Sequence, residues 1–342
     1  MDKRIIFAVA GSGKTTHIIN SLSLDKRSLV ITYTENNYNH LRRKIIEKFG
    51  FIPQNITVQT YFTFLYSFCY KPFLHYICKS KGINWDIPPQ FTLKLKRTDA
   101  RFFRDKHSRL YSNRIAKLVS DSVIDDVKAR MEKYFDAFLV DEVQDFAGHD
   151  FNLLKEICTS NVNILLVGDF YQHTFDTSRD GQTNKSLYDN YEKYQKQFSD
   201  IGVLVDTDTL SHSYRCCPSV CAFVSETLGI PIESHKDEDY DISYLDEERD
   251  IIRIFEDNEI VKLFFKEHHK YPCNSNNWGK SKVLDEYGDV CVILYPKASK
   301  GYSEGDFSSL PASSRNKLYV ACTRANKTLY FVNEAKLKRF RL

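Results

Sequence analysis

The sequence predicts an α/β protein built on parallel, doubly wound sheets. Short apolar runs recur along the chain, and several of them stop at glycines or an acidic residue before a helical or polar stretch. The runs expected to be strands lie at residues 4–9, 28–33, 56–60, 138–140, 163–167, 250–254, 290–294 and 328–332, with a helix expected at 260–267. Strands that alternate with helices form parallel sheets, which bind ligands at the carboxyl ends of their strands.

The length of 342 residues favours two domains rather than one. The pattern predicts a first domain at residues 1–200, with a small helical insertion at about 70–130, and a second domain at residues 201–342. Residues 176–199 are polar and are expected to form a loop and a surface helix. Residues 234–248 are acidic and are expected to be exposed.

Composition narrows the class of protein. Hydrophobic residues make up 42% of the chain, enough for a sizeable core, and the net charge is only +3, so contact with nucleic acid would need a local groove. The nine cysteines are odd in number, and Cys216, Cys217 and Cys221 lack metal-type spacing, which favours buried, reduced thiols over zinc or disulfides. The apolar run before Gly11 is too short for a signal peptide or membrane span, so a cytoplasmic protein with no membrane partner is expected.

The segment Ala8–Thr15 (AVAGSGKT) follows the first expected strand and precedes a helical run. In a P-loop, small residues let backbone N–H groups close around phosphates, a lysine adds positive charge, and a hydroxyl ligates Mg²⁺. The alternative is a glycine-rich turn with a chance Lys-Thr pair, and the position between an expected strand and a helical run favours the P-loop over it. The residues predicted to bind nucleotide are therefore Ala10, Gly11, Ser12, Gly13, Lys14, Thr15 and Thr16, with Thr15 also a metal ligand.

Asp141 and Glu142 place two carboxylates at the end of the strand expected at 138–140. Two adjacent acids are often only a solvated loop. Next to a P-loop, however, they predict hydrolysis, with Asp141 holding Mg²⁺ and Glu142 polarising the attacking water as general base.

The box Asp141–Asp145 (DEVQD) resembles the D-E-x-Q-D motif of superfamily 1 helicases of the UvrD, Rep and PcrA type. The alanine that begins the P-loop also fits that family. Further boxes resemble the remaining family motifs in the family's order and extend the resemblance over residues 8–325: Ile31–Thr34, Thr57–Phe64, Val167–Gln172, Leu210 with Ser213–Arg215, and Leu318–Ala325.

The resemblance implies two RecA-like P-loop domains that bind ATP with Mg²⁺. It implies that Gln172 senses the γ-phosphate, that Tyr214 stacks on adenine, and that Arg215 and Arg324 reach across a cleft to stabilise charge on the transferred phosphoryl group. Single-stranded DNA is the expected partner. Its phosphates would meet Thr34, Thr60 and Thr63, and its bases would stack on Tyr61, Phe62, Phe64 or Phe175.

The chain also departs from the family pattern. Its fifth motif, at Gly279–Glu286, has Val283 where the family has glycine, and the two domains leave little room for the family's large insertions. We therefore expect a compact DNA-stimulated ATPase or helicase. The alternative is a nucleotide-gated ATP-binding subunit that recruits or regulates a protein partner, such as a nuclease, in a phage or antiphage system.

Overall fold

A computed structural model describes residues 1–174, 178, 180–283 and 287–342 of the chain. The chain divides into two compact units, and each unit is assembled from separate stretches of sequence. The first unit consists of Met1–Ile6, Thr15–Gly168 and Asp176–Asp206, and the second of Phe7–Lys14, Asp169–Phe175 and Thr207–Leu342. No described helix is both long enough and apolar enough to span a membrane.

Strands and helices alternate through most of the described chain. The strands are β1 (Lys3–Phe7), β2 (Ser28–Thr32), β3 (Ile56–Thr60), β4 (Ile83–Asn84), β5 (Leu110–Tyr111), β6 (Ala137–Asp141), β7 (Asn163–Gly168), β8 (Leu204–Asp206), β9 (His212–Ser213), β10 (Glu233–Ser234), β11 (Ile242–Leu245), β12 (Val261–Phe264), β13 (Ser275–Asn277), β14 (Val290–Leu294) and β15 (Leu329–Asn333).

The helices are α1 (Lys14–Ser21), α2 (Glu35–Phe49), α3 (Tyr61–Thr63), α4 (Lys71–Cys78), α5 (Ala100–Phe103), α6 (Ile115–Tyr134), α7 (Gly148–Ile157), α8 (Tyr191–Ser199), α9 (Pro218–Leu228), α10 (Glu248–Glu256), α11 (Pro296–Glu304) and α12 (Ala312–Cys322). A π-helical stretch, Phe64–Tyr70, joins α3 to α4.

A six-stranded sheet in the order β3-β2-β6-β7-β1-β8 forms the first unit. The pairings of β2 with β3 and β6, of β6 with β7, and of β1 with β8 are parallel. Strand β2 is buried at every position, as expected for a strand covered on both faces. The carboxyl ends of parallel strands meet at one edge of a sheet, and this edge therefore gathers the residues that follow β2, β3 and β6.

The second unit is built on a five-stranded sheet in the order β11-β15-β14-β12-β13, and its four pairings are parallel. Its core packs helices α9 and α12 against β12, β14 and β15. The fully buried Trp278 donates its indole N–H to the carbonyl oxygen of Leu263 at 2.8 Å, which satisfies the polar end of the ring. The mixed α/β class with parallel sheets is as predicted.

Two predicted elements were wrong. Residues 250–254, expected as a strand, lie in α10, whose buried residues Ile251, Ile254 and Phe255 follow the spacing of one helical face. Residues 260–267, expected as a helix, contain β12, whose four residues are all buried between β14 and the edge strand β13 of the second sheet. A short apolar run does not by itself distinguish a buried strand from one face of a helix.

Candidate nucleotide site and nucleic-acid interface

The P-loop backbone depends on its two glycines. Gly11 has φ +72° and Gly13 has φ +84°, which are left-handed values that other residues rarely adopt. A Cβ on Gly11 would lie 2.6 Å from Cβ of Arg215 and 2.8 Å from Oγ of Ser213. The loop therefore needs glycine at position 11 for both its conformation and its space.

The segment around Arg215 is held directly against this loop. The N–H of Tyr214 donates to the carbonyl oxygen of Gly11 at 2.9 Å, and the N–H of Val9 donates to the carbonyl oxygen of Leu210 at 3.0 Å. A main-chain hydrogen bond thus fixes the predicted site residue Tyr214 at the P-loop, and Arg215 is the next residue along the chain. The Tyr214 ring is exposed and stacks on His235, with ring centroids 4.0 Å apart.

A buried tyrosine joins the P-loop to two other motifs. The N–H of Ala10 donates to the hydroxyl of Tyr319 at 2.8 Å, and that hydroxyl donates to the carboxylate of Asp169 at 2.8 Å. Burial, together with the adjacent Asp169 carboxylate, raises the pKa of Tyr319 well above its ordinary value, so its hydroxyl keeps the proton that it donates. Tyr319 was given no role from the sequence, although an aromatic residue with a polar end in a motif is a signal for a buried bridge.

Arg324 lies inside the second unit, with 2% of its surface exposed. Its guanidinium donates to the carbonyl oxygens of Val320 at 3.4 Å and Lys282 at 3.3 Å. Arg215, which is half-buried, donates from its guanidinium to the carbonyl oxygen of Thr323 at 3.4 Å. Arg215 therefore contacts the turn after α12 that also contains Arg324, whereas Arg324 bonds to α12 and to Lys282.

Gln172 ends a short 3₁₀ turn, Phe170–Gln172, that follows β7. Its N–H donates to the carbonyl oxygen of Asp169 at 3.0 Å, and the residue is buried. The predicted γ-phosphate sensor thus directly follows the strand end whose Asp169 meets Tyr319.

The first unit brings together the two predicted metal ligands. The hydroxyl of Thr15 donates to the carboxylate of Asp141 at 3.2 Å, and Asp141 is buried at the end of β6. Among the described residues, no group of three or more His, Cys, Asp or Glu could hold a metal ion by itself. A hydroxyl beside one carboxylate fits Mg²⁺, which is usually held by one or two carboxylates, substrate phosphates and water. Thr16, the next residue along α1, is exposed.

Glu142 follows Asp141 in a left-handed conformation, with φ +59°. This φ is uncommon for a residue with a side chain and often marks a functional position. The amide of Gln144 donates a hydrogen bond to the Glu142 carboxylate, and a Cβ on Gly168 would lie 2.3 Å from Oε1 of Gln144. Gln144 had no assigned role in the sequence analysis, yet it orients the predicted general base.

The predicted DNA contacts have different surroundings. Thr34 is exposed, and its hydroxyl caps α2 by accepting from the N–H of Asn37 at 3.2 Å. The hydroxyls of Thr60 and Thr63 hydrogen-bond to each other at 2.9 Å at the start of α3. Both caps satisfy helix N-termini at the sheet edge where β2 and β3 end.

The aromatic residues predicted to stack on bases differ in exposure. Phe62 is half-buried and lies against the exposed Trp85, with ring centroids 4.6 Å apart. Phe64, in contrast, is 1% exposed and packs between Phe68 and Phe138, so it belongs to the core rather than to a base-stacking surface. Phe175 lies outside the described residues.

Tyr61, another stacking candidate, is also buried. Its hydroxyl donates at 2.9 Å to the carboxylate of Asp150, which also accepts from Ser178. Burial raises the pKa of Asp150 to about 6, and these hydrogen bonds limit the rise. Nearby, Asp180 accepts two hydrogen bonds from the buried Arg114. These contacts tie residues 178 and 180 to the body of the first unit.

Comparison with known proteins identifies the family to which the chain belongs. The model of the AAA domain family AAA_19 matches residues 2–176, just over half of the chain. The chain belongs to this AAA domain family. The matched residues include the P-loop, the Asp141–Glu142 pair and the turn that holds Gln172. No curated protein matches the sequence.

Two solved helicase structures resemble the whole chain of this AAA domain protein. Arterivirus nonstructural protein 10, a helicase solved in complex with DNA, superposes with a TM-score of 0.51 at 12% identity. The match covers 96% of this chain and 60% of the arterivirus chain. The PRRSV helicase superposes with a TM-score of 0.48 at 12% identity, and the match covers 98% of this chain and 53% of the PRRSV chain. The chain thus spans about half to three fifths of these helicases. At 12% identity the likeness to the arterivirus helicase shows the fold alone, and it confirms the predicted α/β fold of the RecA-like type with parallel sheets.

Proposed function

We propose that this chain is an ATPase stimulated by single-stranded DNA, a compact motor of the UvrD-like helicase type. The observation that carries the proposal is the hydrogen bond between Thr15, the last P-loop residue, and Asp141, whose neighbour is the strained Glu142. A P-loop that merely bound phosphate would not require two acids at the adjacent strand end.

The P-loop supplies the phosphate site. Gly11 and Gly13 turn the backbone so that N–H groups at the start of α1 can face phosphate oxygens, and Lys14 adds a positive charge. Ala10, Ser12 and Thr16 complete this segment. Tyr214 presents an exposed ring beside Gly11, where the adenine base would stack.

Thr15 and Asp141 would hold Mg²⁺, which would neutralise charge on the phosphate oxygens. Glu142 is the proposed general base, because its carboxylate accepts from Gln144 and is thereby oriented beside Asp141. A buried amide that fixes the carboxylate favours one position for the water that it polarises. Gln172 is the proposed sensor of the terminal phosphate.

Arg215 and Arg324 are proposed to stabilise charge on the transferred phosphoryl group. Both guanidiniums lie at the turn after α12, and Arg215 also packs against Gly11. Their planar, permanently charged groups suit phosphate oxygens. This role requires each arginine to exchange a bond to a main-chain carbonyl for one to phosphate.

The DNA track is proposed to follow the edge where β2 and β3 end. The exposed hydroxyls of Thr34 and Thr63 would meet phosphates there, and Phe62 would meet a base. The family membership and the helicase fold support a motor that acts on nucleic acid.

The test of hydrolysis uses two variants. We expect Lys14→Ala to weaken nucleotide binding, whereas Glu142→Gln should keep binding and lower kcat by about 10²–10⁴, the range for loss of a general base. Equilibrium binding of MgATP and the steady-state release of phosphate separate the two effects. A Glu142→Gln rate equal to that of the wild type would remove Glu142 from the mechanism and favour a nucleotide-gated subunit.

A further inference from the structure

Positive charge is concentrated in one part of the chain. Residues 71–117 contain 12 lysines and arginines, three aspartates and no glutamate, a net charge of +9. The whole chain carries +3, so the other 295 residues together carry −6. The small overall charge therefore conceals a strongly basic segment within the first unit.

Most of this charge faces solvent. Two of the three aspartates of the segment are already paired, since Asp99 meets Arg101 and Asp105 meets Arg109. Seven cations are exposed and form no ion pair with any other residue that the structure describes: Lys71, Lys79, Lys81, Lys94, Lys96, Arg97 and Lys106. Unpaired, exposed cations at this density are the electrostatic footprint of a polyanion-binding surface.

Large apolar side chains are interleaved with these cations. Tyr76, Ile77, Ile87 and Phe91 are exposed, and Trp85 has 67% of its surface exposed. The Trp85 ring meets Phe62 with centroids 4.6 Å apart, and Phe62 stacks on Tyr66 at 6.0 Å with an angle of 6° between the rings. A row of aromatic rings thus continues from the basic segment through α3 to the π-helical stretch, and Thr63, which lies between Phe62 and Tyr66 in sequence, is exposed.

We propose that the basic segment, residues 71–117, binds single-stranded nucleic acid, with its exposed cations on the phosphates and Trp85 stacked on a base. Cations beside open aromatic faces are the combination that unpaired strands require, because their bases are free to stack. A duplex keeps its bases stacked inside, so Trp85 would add little to duplex binding. This inference rests on the proposed function and extends its DNA track beyond the predicted residues.

The experiment measures binding of fluorescent oligothymidylate of about 20 nucleotides by anisotropy, using the full chain at low salt. Trp85→Ala should weaken binding roughly 5- to 150-fold, the range for loss of one stacked base, and Trp85→Phe should restore most of it. The double variant Lys94→Glu with Lys96→Glu should weaken binding and reduce the slope of log K against log salt, by about 0.7 for each phosphate that is no longer neutralised. The matched control is Lys193→Glu with Lys196→Glu, two exposed lysines of α8 in the same unit.

Oligouridylate in the same assay distinguishes the source of the strand. Equal affinity indicates single-stranded nucleic acid in general, weaker affinity restricts the site to DNA, and both support the proposal. Unchanged thymidylate binding by Trp85→Ala and by the Lys94 and Lys96 double variant would overturn it, as would equal binding of a duplex that does not depend on Trp85. A wild-type chain that hydrolyses ATP but binds neither oligonucleotide would overturn this inference while leaving the nucleotide site in place.

Discussion

The hydroxyl of Tyr319 donates a 2.8 Å hydrogen bond to the carboxylate of Asp169 while accepting one of the same length from the N–H of Ala10. Ala10 lies in the P-loop, Asp169 directly follows β7, and Tyr319 lies in α12. One buried hydroxyl therefore fixes three segments that sequence analysis assigned to separate motifs. A displacement of any one of them would disturb the other two.

Replacing Tyr319 with phenylalanine removes this bridge with little change of shape. The Ala10 N–H and the Asp169 carboxylate each lose a partner, which costs about 1–3 kcal/mol for each buried group. We expect a lower free energy of unfolding in urea and weaker MgATP binding. Tyr244→Phe, at an exposed tyrosine of β11, is the control and should change neither. Wild-type nucleotide affinity in a destabilised Tyr319→Phe would restrict the bridge to a structural role.

Gly11→Ala tests the contact between the P-loop and Arg215. The added Cβ would lie 2.6 Å from Cβ of Arg215 in a backbone with φ +72°, so the loop must shift. Gly50→Ala is a matched control, because Gly50 has φ +80° but no atom within 4 Å of the added Cβ. We expect Gly50→Ala to lower stability by about 1 kcal/mol, since only backbone strain is introduced. Gly11→Ala should in addition lose MgATP binding in calorimetry, and normal binding would show that the loop tolerates a displaced Arg215.

The buried Asp150 predicts a specific pH dependence. Burial raises its pKa from 3.8 to about 6, so between these values the folded chain holds a proton that the unfolded chain has released. Stability from this group is therefore present at low pH and is lost as pH rises through about 6. The loss between about pH 5 and pH 7.5 should be about 1–1.5 kcal/mol.

Asp150→Asn removes the titration while keeping an oxygen that can accept from Tyr61. The free energies of unfolding of the wild type and the variant are measured in urea at pH 5 and pH 7.5. The difference between the two proteins should change by about 1–1.5 kcal/mol between these pH values. All other titrating groups are common to the two proteins and cancel to first order. A difference that stays constant with pH would show that Asp150 has an ordinary pKa.

Arg324→Lys retains the positive charge but not the planar, forked geometry. A lysine would not reproduce the two bonds that the guanidinium makes to Val320 and Lys282, nor bidentate contact with phosphate. We expect turnover to fall by about 10³-fold, as for other arginine fingers, with a much smaller change in nucleotide affinity. Steady-state phosphate release measures the first and calorimetry the second. Near-normal turnover would show that Arg324 is a structural residue of the turn after α12.

The sequence was sufficient for features that depend on local pattern. Four apolar runs were expected to be strands that lead into residues with a predicted chemical role. The structure forms a strand at each of them: β1 and β2 end shortly before the P-loop and Thr34, β6 ends at Asp141, and β7 ends at Gly168. The prediction was wrong for apolar runs that fit both the helical and the strand periodicity, as in α10 and β12. In such runs tertiary burial decides between helix and strand.

Features that depend on long-range contact were not accessible from sequence. Neither the bridge from Ala10 through Tyr319 to Asp169 nor the burial of Phe64 follows from spacing. The role of Gln144 depends on its distances to Glu142 and Gly168. The exposure of Trp85 and its contact with Phe62 likewise depend on how distant parts of the chain pack. The basic segment was visible in the sequence, but averaging the charge over the whole chain obscured it.

The proposed function requires that this chain couple ATP hydrolysis to single-stranded DNA. The most direct measurement is the steady-state rate of phosphate release by the full chain at saturating MgATP, with and without oligothymidylate, and with Lys14→Ala as the background control. We predict hydrolysis without DNA and a several-fold higher rate with it. A rate that is measurable but identical with and without the strand would contradict the claim and indicate a nucleotide-gated subunit instead.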